Sequence, residues 1–146
     1  MGPEKKWTES GIELPPYPQQ ANLLRAYITG LTAFKFYVDS KSITIGSDGV
    51  VRYSLVAISS SGASNASYEG MRCDKAEYKV YAFGSGDQTW VPAPNPQWKP
   101  VKNPGINKYH YDLHRFYFCP DRIVRRKVSD IIDTIRDGIP YPGPYY

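Results

Sequence analysis

The sequence predicts an α+β fold, in which an antiparallel sheet of about five or six short strands is followed by two C-terminal helices. Two observations predict this order. Short apolar and β-branched runs alternate with Gly-, Ser- and Pro-rich turns through the first part of the chain, whereas apolar residues recur at helical spacing near its end. The 146 residues, 41% of them hydrophobic, fit one core, and the two cysteines offer one disulfide.

The two ends of the chain differ in composition from its middle. Residues 1–20 are polar and Pro-rich, and we expect an extended arm over the domain with Trp7 and Leu14 as anchors. Residues 21–138 form the predicted single domain, and residues 139–146 form a Pro/Tyr tail that cannot be helical. The N-terminus shows no signal-like apolar stretch, so the expectation is either a cytoplasmic protein or an exported one whose leader was removed.

Alternating and β-branched runs predict the strands. They are Leu23–Ile28, Phe34–Asp39, Ser42–Ile45, Val50–Ile58, Tyr68–Cys73, Glu77–Phe83 and Thr89–Val91. Gly49 favours a tight hairpin turn after residue 46, and the Ser-rich residues 59–65 predict a loop. Connections this short leave no room for crossover helices, so the strands are expected to be antiparallel.

Prolines and helical spacing define the last third of the chain. The prolines of residues 92–105 predict a surface loop without regular structure, pinned by Trp98. A first helix is predicted from about Asn107 to Phe118 because its apolar residues share one face. A second helix is predicted to begin near Asp121, as N-cap, and to stop at Gly138.

The chain contains two cysteines. Cys73 ends a predicted strand, and Cys119 ends the first predicted helix. Neither belongs to a CxxC pair, no Cys/His cluster has zinc spacing, and His114 lies off the helical face of Cys119, which disfavours a catalytic thiol. Two readings stay open: a disulfide if the protein is exported, and two buried free thiols otherwise.

Three motifs occur together in this chain: a DGVVRY strand at residues 48–53, a YEG-x-RC segment at residues 68–73 and a closing YFC at residues 117–119. With Phe36–Asp39, Ser60–Asn65, Tyr81–Gly84, Trp90 and Trp98, they resemble the cryptic neisserial protein family over roughly residues 14–135. The resemblance implies a bacterial periplasmic protein, often made with a signal or lipoprotein leader. It implies no particular activity.

Strand alternation singles out one carboxylate. Glu69, Met71 and Cys73 share a face of their predicted strand, so Glu69 is buried if Cys73 faces the core. A buried carboxylate needs a partner, and Arg52 of the neighbouring strand is the candidate. The two are expected to form a structural ion pair or, alternatively, a ligand-facing pocket to which Arg72 also belongs.

The histidines and a basic run supply the remaining candidates. His110 and His114 have the i, i+4 spacing of a shared metal, but no third ligand accompanies them, so we predict hydrogen-bonded or exposed histidines, no metal and no cofactor. The run Arg122, Arg125, Arg126 and Lys127 is either the solvated face of the last helix or a contact surface. Trp90 is a further candidate for contact with a partner.

Composition limits the possible functions but does not identify one. A net charge of +4 and a pI of about 9.0 permit acidic partners but do not require one. We expect a periplasmic, non-enzymatic binding or envelope-interaction protein that contacts an envelope protein or an anionic ligand through its Tyr-rich sheet and Pro-rich loop. Membrane anchoring would require a removed leader.

Two other function classes remain as alternatives. One is a small hydrolase or nucleic-acid-processing protein that uses Arg52, Glu69, Arg72 and His114. The other is a module whose last helix binds anionic lipid or nucleic acid.

Overall fold

The fold is an antiparallel sheet with helical segments on one face, which confirms the predicted α+β class. The computed structural model describes residues 6–30, 32–102, 108–125 and 127–138. The strands are β1 (Leu23–Ala26), β2 (Phe34–Asp39), β3 (Thr44–Ile45), β4 (Val50–Ser59), β5 (Ser64–Arg72), β6 (Glu77–Gly84), β7 (Trp90–Pro92) and β8 (Lys99–Pro100). They are ordered β1-β2-β4-β5-β6-β7, with β3 beside β4 and β8 beside β6.

Most strands lie close to their predicted bounds. β2 has the predicted bounds, and β4 and β6 are each one residue longer. The loop predicted at residues 59–65 is present but shorter, at residues 60–63, because Gly62, with a φ of +92°, permits a tight turn between the end of β4 at Ser59 and the start of β5 at Ser64. The Pro-rich segment likewise contains regular structure, since β8 pairs with β6.

The register of β4 against β5 gives the sheet two different faces. Tyr53 pairs with Glu69, whereas Arg52 pairs with Gly70. Successive side chains of a strand point to opposite faces, so Tyr53 and Glu69 share one face and Arg52 lies on the other. We call the first the helix face, because the helical segments cover it, and the second the arm face, because the N-terminal arm crosses it.

The helix face holds the hydrophobic core. Sheet and helical side chains meet there, including Val38, Val51, Tyr53, Leu55 and Met71 from the strands and Leu113, Tyr117, Phe118, Ile131 and Ile135 from the helical segments. The rings of Tyr53 and Phe118 lie 4.6 Å apart between centroids. Each large apolar side chain buried there contributes about 1.5–3 kcal/mol to stability, which fixes the helical segments on this face.

The first helical region changes its hydrogen-bond pattern partway along. α1 (Lys108–Asp112) continues directly into a π-helical segment (Leu113–Phe118). The N–H of Cys119 donates to the carbonyl of His114 over 2.9 Å, which is the i to i−5 bond of a π-helix. The region ends as predicted, while its predicted start at Asn107 lies outside the described residues.

The second helix begins later than the sequence suggests. Asp121 and Arg122 have φ values of +57° and +63°, so they form a short turn rather than the start of an α-helix. α2 therefore runs over Val128–Asp137, and Gly138, with a φ of +80°, ends it as predicted. None of the helices within the described ranges is long and apolar enough to cross a membrane.

The predicted disulfide is confirmed. Cys73 and Cys119 are bonded, with their Cα atoms 5.2 Å apart and both residues buried. The bond joins the chain just after β5 to the end of the π-helical segment. The helical region is thereby covalently tied to the sheet that it covers.

The arm crosses the sheet without regular structure over residues 6–19. The indole N–H of Trp7 donates to the Asp48 carbonyl over 2.9 Å, and that of Trp90 donates to the Pro15 carbonyl over 2.8 Å. Leu14, the other predicted anchor, is exposed. The arm is thus held by aromatic N–H donors at two points, while the division of the chain into arm, domain and tail stays a prediction.

Candidate binding site

A groove of about 600 Å³ lies on the arm face of the sheet. Side chains of four strands form its floor: Leu23, Tyr37, Val56, Ile58, Ser64 and Ala66. The end of the arm and the turn before β7 form its walls, with Tyr17, Pro18, Gln20, Ser85, Gly86 and Gln88. This volume is typical of small-ligand sites in proteins, and none of the lining residues is charged.

One wall of the groove is fixed by aromatic packing. The ring of Tyr17 lies 5.0 Å from the ring of Trp90, and Trp90 lies 6.2 Å from Tyr68. The hydroxyl of Tyr17 sits directly over Gly84, where any β-carbon would overlap it. Gly84 is therefore required for the close approach of the arm, and Trp90, a predicted contact residue, serves as the support of the groove wall.

A charged network beside the groove anchors the beginning of the arm. Arg52 Nη2 donates to Glu9 Oε2 over 2.9 Å and to Asp48 Oδ2 over 2.8 Å. Lys79 Nζ and the Tyr81 hydroxyl donate to the same Glu9 carboxylate over 2.8 and 2.5 Å. The side chain of Arg52 is only 6% exposed, so this network neutralises a nearly buried cation.

The network also sets the charge of its carboxyl groups. Burial alone would raise the pKa of Asp48, but hydrogen bonds from Arg52 and from the backbone of Ser10 and Val50 outweigh it and lower the pKa to about 2. Burial is likewise outweighed at Glu9, whose pKa is lowered by Lys79, Tyr81 and Arg52. Both groups are therefore anionic at neutral pH.

A second network lies on the helix face around Glu69, which is 1% exposed. Oε1 accepts from the Tyr53 hydroxyl and bonds to His110 Nε2, each over 2.9 Å. Oε2 accepts from Ser67 Oγ over 2.7 Å and from the Tyr109 hydroxyl over 3.1 Å. Every lone-pair direction of the carboxylate is thus used within the protein.

The Glu69 network keeps its central carboxyl ionised. Burial would raise the pKa of Glu69, but the adjacent His110 together with the hydroxyl donors lowers it overall. Burial and the nearby carboxylate raise the pKa of Tyr53 and of Tyr109, so both phenols stay protonated donors. The ring of His110 stacks on Tyr78 with centroids 3.6 Å apart, which fixes its orientation.

The predicted burial of Glu69 is confirmed, but its predicted pairing with Arg52 is wrong. The two side chains lie on opposite faces of the sheet, because Arg52 is opposite Gly70 in the ladder. Glu69 pairs with His110, and Arg52 pairs with Glu9 and Asp48. The alternative prediction, a ligand-facing pocket formed by Arg52, Glu69 and Arg72, is therefore wrong as well.

Arg72 lies on the arm face, apart from the groove. Its guanidinium carbon is 3.6 Å from the ring centroid of Trp7, a cation–π contact, and its Nη1 is 3.6 Å from Glu77 Oε1. Trp98 packs edge-on against Trp7 with centroids 6.1 Å apart. Arg72 thus fastens the arm and the Pro-rich loop to the sheet.

The two histidines are both buried and bonded within the protein. His114 Nε2 bonds to the backbone carbonyl of Cys73 over 2.9 Å, whereas His110 bonds to Glu69. Burial lowers the pKa of His114, although the carbonyl opposes this effect. Within the described residues no group of three or more His, Cys, Asp and Glu side chains is placed to hold a metal ion.

The predicted basic face of the last helix is wrong, because α2 begins only at Val128. Arg122 lies in the preceding turn and donates to the Asp74 carbonyl. Arg125 is half-buried before the helix, and Arg126 lies outside the described residues. Within α2 the charged residues are Asp130, Asp133, Arg136 and Asp137, a net acidic set.

Sequence reasoning missed the groove and the role of Glu9. The lining residues come from the arm, four strands and a turn, and their side chains are small, aliphatic, aromatic or amide types that carry no motif. Glu9 precedes the sheet by many residues, so spacing alone gives no link to Arg52. The one available signal was strand alternation. It predicts that Val56 and Ile58 share one face of their strand, and it sets the face of Tyr37 on its own strand.

The comparisons place the chain in a family. The CNP1-like family model matches residues 3–136, which is nearly the whole chain. The comparison with curated proteins gave no match, and neither did the comparison with solved structures. The match covers both networks, the disulfide and the groove, and on this basis the chain belongs to the CNP1-like family.

Proposed function

We propose that this protein is a non-enzymatic binding protein of the bacterial envelope whose ligand occupies the groove on the arm face. The proposal rests on one observation: the residues that line the groove are uncharged, and the charged residues lie elsewhere. The groove of about 600 Å³ is lined without a single charged group. The ionisable side chains that chemistry would need lie elsewhere and are engaged with one another.

This separation favours binding over the alternative of a small hydrolase. General acid–base chemistry needs its groups within reach of one substrate atom. Arg52 faces the arm, Glu69 is enclosed on the helix face, and His114 bonds to a backbone carbonyl. A substrate in the groove would meet none of them.

The periplasm is the proposed compartment. A disulfide persists in an oxidising environment, and this one joins the sheet to the helical region. The resemblance to the cryptic neisserial protein family supports the same location. Alkylation of the protein in its native cells, followed by mass measurement, is expected to find no free thiol, and two modified thiols would contradict this placement.

Capture from an envelope extract tests the binding proposal. The full chain is immobilised, and bound material is compared for wild type, Ser64→Trp and Asn65→Trp. Ser64 is exposed on the groove floor, so an indole there occupies part of the groove, whereas the exposed neighbour Asn65 points to the other face of β5. Both variants place the same indole on the same strand.

The two variants are expected to differ. Ligand captured by wild type and by Asn65→Trp should be lost from Ser64→Trp. Equal capture by all three proteins would place the ligand outside the groove. Capture of a nucleic acid that disappears as salt rises would favour the alternative of an electrostatic surface.

A further inference from the structure

The groove has the chemistry of a site for an uncharged, polar molecule. Its hydrogen-bonding groups are the amides of Gln20 and Gln88, the hydroxyl of Ser64 and the two tyrosines, whereas the hydroxyl of Ser85 is already bonded to Asp87 and Thr89. Amides and hydroxyls both donate and accept hydrogen bonds. The floor between them is aliphatic. An anion would find no cation in the lining, although Arg25 of β1 lies close by, with its guanidinium carbon 4.4 Å from the ring centroid of Tyr27 and 5.9 Å from that of Tyr37.

The centre of the sheet beneath the groove offers a ligand no backbone pairing. β2 lies between β1 and β4, and β4 lies between β2 and β5, so Tyr37, Val56 and Ile58 have paired strands on both sides. At the margins of the floor, Leu23 belongs to β1, the first strand of the sheet, and Ser64 and Ala66 pair with β4 before the β5–β6 ladder begins at Ser67. An extended peptide gains much of its affinity from pairing with a free strand edge, which the centre of this floor does not provide.

Recognition at the centre of the floor must then come from side chains, and their chemistry favours carbohydrate. A neutral sugar presents hydroxyls that are donors and acceptors at once, which suits the amides of the walls and the hydroxyl of Ser64 on the floor. Its C–H faces are apolar and pack on tyrosine rings and aliphatic side chains. Tyr17 and Tyr37 belong to the same lining as Val56 and Ile58, so the groove offers both polar and apolar partners.

The groove is also formed before any ligand enters. Tyr17 is held by Trp90 and by its contact over Gly84, and Tyr37 is held in the β1–β2–β4 ladder opposite Arg25 and Val56. A site that is already ordered loses little conformational entropy on binding. From lining, backbone pairing and order, we infer that the groove binds a neutral oligosaccharide; this inference rests on the proposed binding function.

An NMR titration of the full chain tests the ligand class. The probes are three neutral hexasaccharides (maltohexaose, cellohexaose and chitohexaose), one anionic chain (hexagalacturonate) and one capped neutral pentapeptide of Ser and Val. At least one neutral hexasaccharide is expected to shift the amide signals of Tyr37, Ser64 and Gln88. Signals of α2 serve as the internal reference.

Matched variants measure the contribution of the groove side chains. Gln20→Ala and Ser64→Ala each remove one neutral hydrogen-bonding group and are expected to weaken binding about 3- to 10-fold. Gln97→Ala makes the same amide deletion on the exposed Pro-rich segment, outside the groove, and should leave affinity unchanged.

Each outcome bears on the inference. Groove shifts by a neutral hexasaccharide, weakened in both groove variants, support it. Shifts caused only by hexagalacturonate or only by the peptide would overturn the carbohydrate class while leaving groove binding intact. No shift with any hexasaccharide would overturn the inference as well, and the envelope capture with Ser64→Trp would still decide the proposed binding function separately.

Discussion

Replacing Glu69 by Gln tests the buried network of the helix face. Glutamine has the shape of the carboxylate but carries an NH2 group in place of one oxygen. Each carboxylate oxygen of Glu69 bonds to two partners, and Tyr53, Ser67 and Tyr109 are hydroxyl donors. In Glu69→Gln two of the four partners would therefore face a donor, and His110 would lose its anion.

The expected cost follows from these contacts. A hydrogen bond to a charged group contributes about 1.5–3 kcal/mol, so the loss of two gives about 3–6 kcal/mol. We expect Glu69→Gln to lower the free energy of unfolding by about 3–6 kcal/mol, a large part of the 5–15 kcal/mol typical of a domain.

Urea denaturation followed by tryptophan fluorescence, with the disulfide intact, measures this loss. Glu13→Gln is the matched control, because Glu13 is exposed on the arm and undergoes the same change of charge. Its effect should stay within about 0.5 kcal/mol. A loss below about 1 kcal/mol in Glu69→Gln would show that the buried network does not stabilise the fold and would refute the reasoning.

The same carboxylate predicts how stability depends on pH. The pKa of Glu69 is lower in the folded state than its ordinary value of 4.5. Its contribution is therefore complete above that value and is lost as pH falls through the folded pKa. The stability difference between wild type and Glu69→Gln should narrow on acidification from about pH 5, and a difference that widens would contradict the sign of the shift.

Three further predictions concern the links between the parts of the fold. Reduction of the disulfide, whose cysteines are 46 residues apart, should cost about 4 kcal/mol in a urea titration, and a cost below about 1 kcal/mol would argue against a structural role. Glu9→Gln should make residues 6–19 more sensitive to limited proteolysis, because it weakens the bonds that hold the arm; unchanged cleavage would contradict this anchoring. Gly70→Ala should lower the free energy of unfolding by about 1–3 kcal/mol, since its β-carbon would lie 2.5 Å from the Tyr81 hydroxyl. Gly86→Ala, which has open space around the added β-carbon, should cost much less in the same titration. Equal costs for the two variants would be inconsistent with the contact at Gly70.

The strands were predictable because their signal is local. β2, β4 and β6 follow from runs of alternating or β-branched residues, whereas the two cysteines left both a disulfide and two buried free thiols open, and the structure shows the disulfide. The start of α2 was not predictable, because Asp121 and Arg122 adopt positive φ values that non-glycine residues adopt rarely. Arg122 there donates to the carbonyl of Asp74, a contact between segments distant in the sequence that local preference does not reveal.

The candidate site depended on information that the sequence does not carry locally. Alternation gave the burial of Glu69, but a shift of one residue along β4 decides whether Arg52 or Tyr53 shares its face. The groove is assembled from segments far apart in the chain, and its uncharged side chains have no motif. Only the folded structure shows that Glu9 contacts Arg52.

Native mass spectrometry of the protein isolated from its own cells tests the central claim most directly. Wild type and Asn65→Trp should carry a non-covalent ligand that is absent from Ser64→Trp, because only the last variant places an indole in the groove. A ligand of the same mass retained by Ser64→Trp would contradict the claim that the uncharged groove is the binding site.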